Sequence, residues 1–88
     1  MENRVALISI IVSDGASIPH INEILHDYAA YAVGRMGIPY RARNVNIIAV
    51  AVDAPQEVIS ALSGRIGRLP GVSSRVTYAN VISGKTSE

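Results

Sequence analysis

The chain has no cysteine, no tryptophan and no phenylalanine, and four tyrosines hold its aromatic content to 5%. Without thiols there is no disulfide staple, no thiolate nucleophile, no zinc-finger cage and no iron–sulfur ligand set, and a cytoplasmic location is the default expectation. Charge is sparse as well. Only 17% of residues are charged, and eight basic against seven acidic side chains leave a formal charge of +1. Proteins that grip phosphates unaided concentrate positive charge, so no direct nucleic-acid binding is expected. Long hydrophobic runs are missing too: Val5 to Val12 is too short to cross a bilayer, is broken by Ser9, and follows Glu2 and Arg4. Neither a membrane anchor nor a leader is expected.

What is present is apolar. Hydrophobic residues make up 49% of the 88, enough to pack one small core and to exclude disorder for the body of the chain. Val5 to Val12 is rich in β-formers and stops at the turn cluster Ser13-Asp14-Gly15, which predicts a first strand. Ser17 is placed to cap a helix from Ile18, with Pro19 in its first turn. Ile18, Ile21, Leu25, Tyr28 and Ala32 then recur at helical spacing, which predicts a helix to about Val33. Gly34, Gly37 and Ile38-Pro39 end it, leaving Ile38 to Arg43 as a short irregular strand.

A third strand is predicted over Val45 to Val52, closed by Asp53-Ala54-Pro55. A second helix follows from Gln56 to about Leu69 on the stripe Val58, Ile59, Leu62, Ile66 and Leu69, and stops at Pro70-Gly71. Val72 to Val81 alternates as a half-exposed last strand. The order β-α-β-β-α-β implies an α+β ferredoxin-like sandwich, a four-stranded antiparallel sheet with two helices on one face. The domain is expected to occupy residues 1–82, with 83–88 a flexible C-terminal tail.

Both long strands are hydrophobic on both faces. Val5, Leu7 and Ile11 oppose Ala6, Ile8, Ile10 and Val12, while Ile48, Val50 and Val52 oppose Val45, Ile47, Ala49 and Ala51. Two helices cover one face only, so the other predicts a homo-oligomer, dimer or tetramer, that stacks sheet on sheet.

Chemistry-bearing residues are few. His20, Glu23 and Asp27 share one face of the first helix and His26 lies beside Glu23. One helix rarely supplies a whole metal site, so they read either as a solvated polar face or, at His26, as a metal ligand completed across a subunit interface. Arg35, Arg41 and Arg43 bracket the connection from Gly34 to Tyr40. Their guanidinium forks, the N–H groups of Gly34 and Gly37, and Tyr40 as an aromatic wall make this the expected binding site for an anionic ligand. No serine lies in a G-x-S-x-G elbow, and Gly64 to Gly71 lacks the Lys-Ser/Thr ending of a phosphate loop, so no enzymatic activity is expected. Gly64 and Gly67, costly inside a helix, suggest close backbone approach to a neighbour.

The stretch NEILHDYAAYAVGRMG from Asn22 to Gly37, with NIIAVAVDAPQEVISALSGRIGRLPGV from Asn46 to Val72, resembles the iron-only hydrogenase system regulator family. The resemblance implies an ACT-like ferredoxin fold, oligomerisation and a role in transcriptional regulation or maturation linked to hydrogenase. Glu23 to Tyr28 is also similar to the C-terminal regulatory domain of nickel-responsive repressors, in which a histidine matching His26 ligates nickel between subunits. The two further histidines of that pattern fall on Gly37 and Pro39 here, its cysteine is absent, and the DNA-binding segment is missing. The expectation is an oligomeric module that senses a small ligand, of identity unknown, and signals to a protein partner. The alternatives are a nickel-, zinc- or iron-responsive sensor and a ligand-free structural adaptor.

Overall fold

The computed structural model describes residues 2–80. The tail expected at 83–88 lies outside the described residues. β1 (Asn3–Val12), α1 (Ile18–Asp27), β2 (Ala32–Tyr40), β3 (Val45–Pro55), α2 (Gln56–Gly67) and β4 (Val72–Tyr78) form one antiparallel sheet ordered β2-β3-β1-β4. The two long β-branched strands pair over the whole of β1, from Asn3 opposite Pro55 to Val12 opposite Asn46. They form the centre of the sheet because they carry apolar side chains on both faces.

Alternation along each strand decides the core. Ala6, Ile8, Ile10 and Val12 of β1 and Ile48, Val50, Val52 and Ala54 of β3 are buried beneath the helices. The α1 stripe adds Ile21, Ile24 and Leu25, and the α2 stripe adds Ile59, Leu62 and Ile66. At about 25 cal/mol per Å² of apolar surface, each fully buried Ile or Leu here contributes roughly 1.5–3 kcal/mol.

Three expectations are corrected. The first helix ends at Asp27, not near Val33: Ala29–Tyr31 tighten into a 3-10 turn and Ala32 already opens β2. Its apolar stripe loses its purpose there, because past Leu25 the chain must leave the helix layer to reach the sheet edge. Gly34, Gly37 and Pro39 therefore do not form a loop. They lie inside β2, an edge strand, where glycine and proline are tolerated because one side of the ladder is unpaired. A bulge between Ala32 and Gly34 absorbs Val33. Nor does Ser17 cap α1. Its buried hydroxyl donates to the Pro70 carbonyl at 2.7 Å, and Asp14 instead accepts from the Ala16 N–H.

Those contacts tie the turn after β1 to the turn before β4. Ser13 N–H and Oγ both donate to the Gly71 carbonyl, at 2.8 and 3.1 Å. Gly71 holds φ +69°, and a Cβ there would lie 2.6 Å from the Asp14 Cβ, so only glycine fits. The helical glycines are less demanding than expected. A Cβ on Gly67 would meet Ser74 at 3.5 Å, an ordinary contact. The join of α2 to β4 is instead a Ser63–Ser74 hydroxyl pair at 2.8 Å.

Candidate functional site

β2 delivers alternate residues to the two sides of the sheet. Arg35 pairs with Val50 and Ala32 with Val52, so both stand on the helix side, and both are exposed there. Met36, Ile38 and Tyr40, opposite Ala49, Ile47 and Val45, stand on the other side. α1 ends short of β2, and the gap between them is a cavity of about 310 Å³. Its apolar wall comes from Leu25, Val50, Val52 and Leu62, and its polar rim from Asn22, His26 and Arg35. Arg35 Nη2 donates to Asn22 Oδ1 at 3.1 Å across the rim.

The expected ligand residues thus divide. Arg35 reaches the cavity and joins His26, the expected metal ligand, on one rim. Tyr40 pairs with Val45, five residues along the strand from the Arg35–Val50 pair, or about 17 Å at ~3.4 Å per residue. Arg41 and Arg43 follow in a 3-10 turn at that hairpin tip, closed by Asn44 at φ 56°. Gly34 stands on the open side of the sheet opposite Ala51, and Gly37 on the helix side opposite Ile48.

His26 is exposed, and the described residues hold no group of three or more His, Cys, Asp or Glu placed to grip a metal. Asp27 is engaged by Arg65, at 3.8 Å, and that guanidinium lies 5.6 Å from the centre of the Tyr28 ring.

Asn22, Leu25, Val50 and Leu62 carry no sequence signal that joins them as site residues, because the cavity is built from α1, β2, β3 and α2, which meet only in the fold. One local signal was available: Asn22 and His26 are one helical turn apart, on the same side of α1.

The second feature is the open sheet face. Val5, Leu7 and Ile11 of β1, Ile47 of β3 and Met36, Ile38 and Tyr40 of β2 are all more than a third exposed. Ala49 and Ala51 fill between them. The β4 column is polar, with Ser73, Arg75 and Thr77 opposite Ile11, Ser9 and Leu7. The apolar patch therefore spans three strands and runs to the β2 edge. Among the described residues no helix is long and apolar enough to cross a membrane.

An antiparallel four-stranded sheet with two helices on one face places the protein among the α+β ferredoxin-like domains. More narrowly, residues 4–76 match the family model described as "TM1266-like: Iron-only hydrogenase system regulator, putative", and the chain belongs to that family. Among solved structures it is similar to the uncharacterized protein TM1266 from Thermotoga maritima. The two share 29% identity at a TM-score of 0.83, over 88% of this chain and 98% of that one. No curated protein matches the chain.

Proposed function

We propose that this chain is a cytoplasmic, oligomeric regulatory module of the iron-only hydrogenase system, which binds a small ligand and signals to a protein partner without chemistry of its own. The observation that carries the reading is the apolar sheet face left exposed among the described residues. β1 and β3, of 10 and 11 residues, are about 33–37 Å long, and the three apolar strands at ~4.8 Å spacing are ~14 Å wide. A face on the order of 500 Å² is more than half of the ~800 Å² per partner of a standard interface. Stacking a second copy there removes Leu7, Ile11 and Ile47 from water and closes symmetrically.

Ligand binding enters through the other side of the same sheet. Val50 and Val52 line the cavity while Ala49 and Ala51, alternating with them on β3, face the open side. A ligand that fits one subunit arrangement better than another shifts the balance between them, and only that difference in affinity transmits a signal. Arg35 is the member of the expected anion set that meets this cavity. Tyr40, Arg41 and Arg43 form a separate basic tip for contact with the partner.

Native mass spectrometry of the protein and of Leu7→Glu tests the assembly. The expected result is an oligomer for the native chain and a folded monomer for the variant, since a surface charge costs the single subunit little. A native chain that is monomeric at micromolar concentration would falsify the sheet-stacking reading.

A further inference from the structure

The cavity between α1 and β2 has a chemistry that narrows its ligand. We infer that it binds a small organic monocarboxylate with an uncharged apolar body, the carboxylate on Arg35 and Asn22 and the body against Leu25, Val50, Val52 and Leu62. The signalling role of this site rests on the regulatory reading above; the binding itself does not.

Four observations meet here. First, the hydrogen bond of Arg35 across the rim goes to a neutral amide oxygen, which leaves its charge uncompensated at that contact and further N–H groups of the fork free. Second, because Asn22 accepts through Oδ1, its amide nitrogen keeps two donors for a second acceptor on the same rim. A guanidinium beside an amide suits a planar carboxylate, which it can hold by two parallel bonds.

Third, among the described residues no acidic side chain lines the cavity, and the nearby Asp27 carboxylate is turned to Arg65. With no described carboxylate there to pair an ammonium group, a plain carboxylic acid fits better than an amino-acid zwitterion. Fourth, behind that rim the lining is largely apolar, with Leu25, Val50, Val52 and Leu62 beside Tyr28, which offers an organic body surface to pack on and an inorganic oxyanion none of the contacts it needs. The volume of about 310 Å³ corresponds to on the order of ten waters at ~30 Å³ each, which sets the ligand at roughly ten non-hydrogen atoms or fewer. That lies at the lower end of ligand-pocket sizes.

Methyl-resolved NMR titration with isovalerate and benzoate tests the inference, with isovaleramide, valine and inorganic phosphate as comparisons. Both carboxylates should move the Leu25, Val50, Val52 and Leu62 methyl signals. Arg35→Ala should weaken them about 10- to 100-fold, as expected for loss of a charged hydrogen-bonding partner, while Arg41→Ala leaves them unchanged. Ala32→Leu, at the exposed mouth, should block the same signals by bulk and gives a second variant should the first disturb the edge strand.

The inference is overturned if neither carboxylate moves those methyls at about 10 mM, well above the millimolar range such small ligands can reach. It is equally overturned if isovaleramide, valine or phosphate binds as well, or if Arg35→Ala binds as tightly as the native protein. Native masses of the same samples separate the two readings. An oligomer that takes no carboxylate sinks the monocarboxylate site alone; a monomer that binds one upholds the site and sinks the assembly.

Discussion

The two faces of this sheet are made by the same strands from nearly the same residues, yet they differ in every physical consequence. On the helix side Ile8 and Ile10 are fully excluded from water; on the other, Leu7 and Ile11 are 44% and 42% exposed one residue away. Hydrophobicity therefore does not define a core. A core exists where a second layer supplies matching surface, and two helices of 10 and 12 residues supply it once. The open face carries comparable apolar content, and among the described residues no second layer packs on it; the proposed function makes that face the assembly surface.

The sharpest break of this comparison is a matched pair of truncations. Ile8→Ala should cost about 2–5 kcal/mol by urea denaturation, since it leaves a hole in packed surroundings. Leu7→Ala, on the neighbouring residue, should cost an isolated subunit less than about 1 kcal/mol. If the two variants lost equal stability, the distinction between the faces would be wrong.

Next comes the turn that locks the helix layer to the strands. Gly71→Ala forces an L side chain into a left-handed conformation against Asp14 and should cost about 2–3 kcal/mol, read as a lower thermal midpoint. Retention of the native midpoint would show that the turn rearranges freely. The smallest effect is expected at the end of α1. Arg65 and Asp27 are both substantially exposed and 3.8 Å apart, so Arg65→Ala should change stability by less than about 0.5 kcal/mol. A larger loss would mean that its position near Tyr28 contributes to packing the cavity wall.

Much of the architecture was legible. The β-branched runs of β1 and β3, the stripes Ile21-Leu25 and Ile59-Leu62-Ile66, and the Pro70-Gly71 stop each carry a local signal that agrees with the fold. β2 runs against its local signal. Gly34, Gly37 and Pro39 are breakers in isolation, and only the pairing of Arg35 with Val50 and Pro39 with Asn46 makes them a strand. The long Val45–Pro55 strand likewise runs three residues past the expected stop at Val52, carried by pairing of Asp53, Ala54 and Pro55 with Val5, Arg4 and Asn3.

The expected anion site was partly legible for the same reason. Arg35, Tyr40, Arg41 and Arg43 are close in sequence, but an extended strand spreads residues along a line where a loop would have gathered them. Asn22 and His26 carry no signal toward Arg35, because α1 and β2 meet only after the chain has turned back on the sheet.

By itself the sequence determined the element types, the buried stripes and the presence of apolar residues on both faces of the central strands, because these follow from periodicities of two and 3.6 that need no knowledge of distant residues. Only the tertiary structure decided where α1 stops, which residues line its gap with the sheet, and which strand face lies bare. Each of those depends on how far a helix reaches across neighbouring strands, a distance set by packing between segments remote in the chain.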